Sequence, residues 1–164
     1  MYSKYEGKML SLSQEHETPD DLFETLHKEF NFQTDLAASE LNHKLSHYYT
    51  KDNDALSYNW HGRNWLNPPF NKVGKWVEKA YKDSKKYKST IVMLVLVKAN
   101  TNWWRDYIFK AKEVRFINQK IQFKNTEQGL RFPACIVVFQ PHRGSTKWRV
   151  IKNKSVETRN DLKW

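Results

Sequence analysis

Cysteine is nearly missing from this 164-residue chain, and its one representative, Cys135, excludes both an internal disulfide framework and a zinc site built from several thiolates. A reducing, cytoplasmic setting is the expectation. Glycine and proline are scarce too, at five each, so each marks a turn or a stop, and neither repeats nor low-complexity tracts are present. Long apolar runs are also lacking. The longest, Ile91 to Val97, falls far short of the ~20 residues that cross a bilayer, and the opening MYSKYEGKMLSLSQEHE has no apolar core of an export signal. No membrane partner is expected.

What is abundant is positive charge and aromatic surface. Lys and Arg number 28 against 18 Asp and Glu, a net charge of +10, so the expected partner is a polyanion, nucleic acid first. Binding of that kind weakens steeply with salt, because phosphate neutralisation releases counterions. Seven Trp, eight Tyr and nine Phe are enough for a core and for platforms on which bases stack. With 39% apolar residues, the length suits a single domain over 1–164, with a polar lead at 1–16 and a basic extension from about 141 to 164.

Thr18-Pro19-Asp20-Asp21 predicts a helix start, with Thr18 as N-cap, Pro19 at the first helical position and acids beside the positive end of the dipole. Leu22, Phe23, Leu26 and Phe30 continue at helical spacing. Phe30 to Thr34 reads as a short strand ending at Asp35, with the small pair Ala37-Ala38 just behind; a carboxylate past a strand end is placed to meet a ligand in an open α/β sheet. Leu41 to Thr50 is ambiguous between helix and an extended piece at Tyr48-Tyr49. Trp60 to Leu66 reads as a strand running into Asn67-Pro68-Pro69-Phe70, where two prolines stop pairing.

A helix follows from about Gly74 to Lys86, with Trp76, Val77, Ala80 and Tyr81 inward. Ile91 to Val97 is apolar and β-branched throughout, the mark of a strand buried on both faces and hence of a mainly parallel sheet. A short helix at Trp103 to Ala111 and strands at Glu113 to Ile117, Ile121 to Phe123 and Cys135 to Gln140 complete an α/β fold that finishes in an antiparallel hairpin. Arg143 to Trp164 is expected to be either a DNA-facing extension or a poorly ordered tail.

Asn67-Pro68-Pro69-Phe70 carries the sharpest chemistry. Asn67 offers an amide oxygen, Pro68 a carbonyl whose direction is set by the following ring, and Phe70 an aromatic face. That set suits a flat ring bearing an exocyclic amine, such as adenine N6 or cytosine N4. Such an amine is a poor nucleophile because its lone pair is delocalised; two fixed acceptors favour the pyramidal form and stabilise charge as a methyl group arrives. Phe70 would hold a base that has left the duplex. By itself the tetrapeptide favours an ordinary Pro-Pro turn beside a core Phe; its context, after a Thr-Pro helix start and a strand ending in an acid with small residues, reverses that. Asp35 could accept from cofactor hydroxyl or amino groups or cap a helix, and the Thr18 hydroxyl could hold a carboxylate or only cap.

The ordered series Glu17-Thr18-Pro19, Leu22-Phe23, Glu29-Phe30-Asn31-Phe32, Asp35-Leu36-Ala37-Ala38-Ser39, Tyr49-Thr50, Asp54-Ala55-Leu56 and Trp65-Leu66-Asn67-Pro68-Pro69-Phe70 resembles the phage and prophage N6-adenine DNA methyltransferases, the Dam-type family. The likeness continues through Trp76-Val77, Trp103-Trp104, Val114-Arg115-Phe116 and Phe132-Pro133-Ala134 to about residue 140. It implies a reduced Rossmann-like methyltransferase fold, S-adenosylmethionine as methyl donor with no metal, and double-stranded DNA as partner. Asn67, Pro68, Pro69 and Phe70 would then form the target-base site. Thr18 with Pro19, Asp35 with Ala37 and Ala38, and Asp54 would meet the cofactor. Thr101, Trp103, Arg115, Lys120 and Arg131 fall in segments expected to touch DNA.

The chain departs from the family at several of these places. Gln14 and His16 stand where an Asp and a Trp are usual, Phe70 where Tyr is commoner, Lys120 where Arg is usual and Ala134 where Ser is usual; the glycine-rich first loop of larger methyltransferases is missing. Two alternatives therefore stay open: methylation of cytosine N4 or of RNA adenine by the same acceptor geometry, and a catalytically lapsed nucleic-acid-binding protein. Cys135, inside a predicted strand, is expected to be packing rather than a nucleophile.

Overall fold

The computed structural model describes residues 17–118, 121–122 and 131–152. Helix α1 spans Asp20–Phe30 and buries Leu22, Phe23 and Leu26, with Asp20 and Asp21 in its first turn. Its start differs from expectation: Pro19 is the flanking residue, extended at φ −55° and ψ 134°, and no side chain caps the helix. The helix runs to Phe30, which the sequence places both at helical spacing and at the start of a strand. Phe30 follows Leu26 by one turn and extends the same buried stripe, and Asn31 then closes the helix in the left-handed region at φ 50°.

Strand β1 is consequently only Thr34–Asp35. Strand β2 is Arg63–Leu66, three residues shorter at its start than expected, because Gly62 turns the chain at φ +71°. Between them Leu41 to Thr50 forms no helix; side chains serve the backbone there, with Asn42 Oδ1 accepting from the Ser39 N–H at 2.6 Å. The extended piece survives as a single bridge of Tyr48 to Asp35. Helix α2, Val73–Tyr87, β3, Thr90–Leu96, and α3, Asn102–Tyr107, match their expected segments, and a 3-10 turn over Ile108–Lys110 finishes the last. Then come β4, Glu113–Ile117, β5, Ile121–Gln122, β6, Arg131–Phe132, and β7, Ala134–Phe139.

The basic stretch after Pro141 supplies a strand that the sequence reading does not contain: β8, Lys147–Ile151, pairs in parallel with β4. One sheet runs β1-β2-β3-β7-β4-β8, and β5 and β6 pair as a separate antiparallel ribbon. Only β7 opposes its neighbours β3 and β4 in that sheet; all the others point one way. This mostly parallel order fits a Rossmann-like methyltransferase fold.

β3 explains the layers. Ile91, Met93 and Val95 pack with Trp76, Val77 and Ala80 of α2 on one face, whereas Val92, Leu94 and Leu96 meet Leu22, Phe23 and Leu26 of α1 on the other. A strand apolar at every position is what a sheet covered on both faces demands. Because β1, β2, β3, β4 and β8 share a direction, their carboxyl ends lie on one rim, where ligands of such sheets bind. Cys135 sits within β7, fully buried, and burial pushes its thiol up to about 12. Among the described residues no helix is long and apolar enough to cross a membrane.

Candidate active site

The register of β1 on β2, Thr34 beside Asn64 and Asp35 beside Trp65, brings Asp35 and Asn67 to the same rim. Asp35 is 2% exposed, and its carboxylate accepts the Ala37 N–H at 3.3 Å through Oδ1 and the Lys44 N–H at 3.0 Å through Oδ2. One side chain thus ties both ends of the loop that carries Ala37 and Ala38. Burial holds the Asp35 carboxyl above its ordinary range, against the pull of those two backbone N–H groups.

At the end of β2 the backbone leaves the sheet through Asn67. Pro68 is buried, Pro69 is extended at φ −61° and ψ 133°, and Phe70 opens a 3-10 turn, Phe70–Lys72, that feeds α2. Phe70 is half-buried and packs against the core cluster on the α1 side. Asn67 Nδ2 donates to Thr18 Oγ1 at 3.0 Å, so the threonine expected to cap α1 instead reaches the asparagine 49 residues along the chain.

A cleft of about 490 Å³ opens between these two strand ends. Of the residues expected at the cofactor, Thr18, Asp35, Ala37, Ala38 and Asp54 line it, and Asn67 and Pro69 of the base site border it; Pro19, Pro68 and Phe70 are not in its wall. Asp54 is exposed and its Oδ1 caps a short 3-10 turn by accepting the Leu56 N–H at 3.2 Å. Five acids (Glu17, Asp35, Glu40, Asp52 and Asp54) line the wall against three lysines (Lys44, Lys51 and Lys72), in a chain of net charge +10. Acids thus outnumber cations in the wall of this cleft, against the sign of the whole chain.

Lys44 is the residue that sequence reasoning misses. While its backbone N–H serves Asp35, its ammonium group reaches Asp20 at 2.7 Å and Glu17 at 3.2 Å, pinning the loop after Asp35 to the start of α1. No local pattern announces it, since its partners lie on a different element. Trp76, expected only as core, and Trp65 of β2 also reach the cleft wall.

The expected DNA-contact residues gather less tightly. Thr101 stands at the start of α3, beyond the carboxyl end of β3, and its Oγ1 donates to the Lys98 carbonyl at 2.8 Å. Trp103 is half-buried against Gly74 and Trp104. Arg115 is turned toward α1: it grips Glu29 with two hydrogen bonds, at 2.7 and 2.6 Å, and Glu113 at 3.0 Å, with its side chain 12% exposed. Arg131 lies on β6, and Lys120, Gln14 and His16 lie outside the described residues.

A family model described as DNA N-6-adenine-methyltransferase (Dam) matches residues 9–162. The chain belongs to the Dam family. A DNA N-6-adenine-methyltransferase of Haemophilus phage HP1 (strain HP1c1) is 33% identical over 133 residues, covering 76% of this chain and 77% of the phage protein. Membership spans both halves of the site, since Asp35 with its loop and Asn67 to Phe70 all fall inside the matched range. In this Dam-family chain Asp35 with Ala37 and Ala38, and Asn67, lie at one rim of one sheet.

Proposed function

We propose that this protein is a site-specific DNA methyltransferase that transfers a methyl group from S-adenosylmethionine to N6 of an adenine flipped out of double-stranded DNA. The observation that carries this reading is the juxtaposition, across one acid-rich cleft, of the Asp35 loop and the Asn67 amide. The donor fits the cleft by size and charge, having a sulfonium and an ammonium group against one carboxylate. When bound, it would supply a methyl group activated by the sulfonium and be left as S-adenosylhomocysteine, one N6 proton passing to solvent, so no metal is required.

The chain's own residues do the rest. Asp35 and the surplus acids of the wall attract the cationic donor, Ala37 and Ala38 leave room for it, and Asp54, in the same wall, meets its nucleoside end. Asn67 Oδ1 and the Pro68 carbonyl accept the two N6 hydrogens, drawing the nitrogen toward the pyramidal form whose lone pair attacks. Phe70 stacks on the extruded base. Thr101 and Trp103 open the helix that follows β3 and Arg131 precedes β7; these three, with Lys120 from the sequence, are the candidates for DNA contact, whereas Arg115, tied to two acids, contributes by bracing β4 against α1. Such an enzyme acts in the cytoplasm of a bacterial host.

The test offers the purified protein a methyl-labelled donor together with duplex DNA, single-stranded DNA or RNA of one sequence. Label entering duplex DNA first, at a few positions of a defined sequence, supports the proposal. Label confined to RNA, or donor binding without transfer to any of the three, rejects it.

A further inference from the structure

We propose that Thr18 is a positioning residue for the target-base site: its hydroxyl, by accepting from Asn67 Nδ2, sets the plane of the Asn67 amide and turns Oδ1 away toward the target amine. The inference rests on the methyl-transfer reading above, and it moves Thr18 from the cofactor's side of the cleft to the base's.

An asparagine at the end of a strand has a broad, two-fold terminal torsion, so its oxygen and nitrogen ends exchange readily unless something holds them. For this reaction the two ends are not equivalent. With Oδ1 forward the amide accepts from an exocyclic amine; with Nδ2 forward it presents donors to donors. The observed hydrogen bond, Nδ2 to Thr18 Oγ1 at 3.0 Å, occupies the nitrogen end. The threonine has no competing duty as a cap, because no side chain caps α1.

Thr18 is also held firmly enough to act as an anchor. It is 2% exposed, and Pro19, buried beside it, restricts the backbone that follows. On either side of this pair, Glu17 and Asp20 are gripped by the single ammonium group of Lys44, whose side chain is only 10% exposed. The Lys44 N–H in turn closes on Asp35 at 3.0 Å. A continuous polar chain therefore runs from the carboxylate of the cofactor loop, through Lys44 and the start of α1, to the amide that meets the base.

The experiment compares Thr18→Val, which keeps shape and removes the acceptor, with Thr18→Ser, which restores it. Steady-state kinetics on duplex DNA are read alongside the Asn67 side-chain N–H₂ resonance, assigned by its loss in Asn67→Ala. The expectation is that Thr18→Val lowers kcat about 10- to 100-fold with KM for the donor within about threefold of wild type, that Thr18→Ser recovers most of the rate, and that the Asn67 amide protons exchange faster only in the valine variant. A valine variant of normal kcat, a serine variant as damaged as the valine one, or a loss expressed in donor KM alone overturns the role. If Thr18→Val proves unfolded by circular dichroism, the serine variant and the wild-type exchange rates decide: an Asn67 amide that exchanges as fast as an exposed one overturns the proposal, a protected one in both sustains it. A wild-type protein that moves no methyl group overturns the methyl-transfer reading itself, and remains distinguishable because the amide protection is read without turnover.

Discussion

Replacing Asn67 with alanine separates chemistry from stability. In the folded protein the side chain is half-buried and donates to Thr18 Oγ1 at 3.0 Å. Truncation removes that bond at a cost of about 1 kcal/mol, which for a chain of this length lowers Tm by about 2–4 °C. The effect on rate is much larger. An acceptor aimed at charge that develops only in the transition state is worth about 10²–10³ in kcat, or about 2.7–4 kcal/mol. The cleft wall around Asp35 stays intact, so donor affinity stays within a few-fold. The assay is single-turnover methyl transfer to duplex DNA, with calorimetric titration of the donor and a thermal melt on the same preparation. An Asn67→Ala protein that turns over within threefold of wild type refutes the assignment of the base site. A variant that loses donor binding in proportion to its rate refutes the division of the cleft into two halves.

Three further outcomes follow from other parts of the molecule. Gly62 has φ +71°, and a Cβ added there would run into Gln33 Oε1, which accepts the Arg63 N–H at 3.1 Å; Gly62→Ala should therefore cost about 2 kcal/mol and lower Tm by about 4–8 °C, and a melt unchanged within 1 °C or so would contradict the turn described. The two hydrogen bonds from Arg115 hold the Glu29 carboxyl below its ordinary range, so the pair's stabilisation is present above that range and is lost as pH falls through the lowered value. Denaturant melts of wild type and Glu29→Gln should differ most above the ordinary carboxylate range and converge as pH falls through the lowered value, whereas a gap that widens on acidification would show that the pair does not form. Asp35 has the opposite sign: its raised carboxyl costs stability above its folded value, and acid relieves it. Cys135, its thiol pushed up to about 12 by burial, should resist alkylation in the native protein at neutral pH, react once unfolded, and be dispensable, with Cys135→Ala keeping methyl transfer; rapid native labelling would overturn its placement in the core.

Local pattern made the site's main halves legible. The unbroken apolar run of β3 announces a sheet covered on both faces, and an acid before two alanines and an asparagine before two prolines announce strand ends. The pairing of Asp35 with Trp65 then puts both strand ends on one rim. Hidden from that reading were the features that depend on partners distant in sequence. Thr18 before a proline looks like a cap, and only the folded chain shows Asn67 taking its oxygen. Lys44 lies in a stretch without periodicity, yet it closes the loop through Asp35, Glu17 and Asp20. β8 escaped because Lys147 and Arg149 alternate with Trp148 and Val150 at an exposed edge, a pattern that composition alone reads as a basic tail. Asn31 escaped for a different reason: a left-handed residue ends α1 where the alternation of Phe30 and Phe32 imitates a strand.

The most direct test of the central claim is to incubate the protein with methyl-labelled S-adenosylmethionine and unmethylated duplex DNA, digest the DNA, and identify the labelled nucleoside. The account predicts label on N6-methyladenosine of the deoxy series, at rates that fall with Asn67→Ala. Label on N4-methylcytosine, or no label from a protein that still binds DNA, would contradict it.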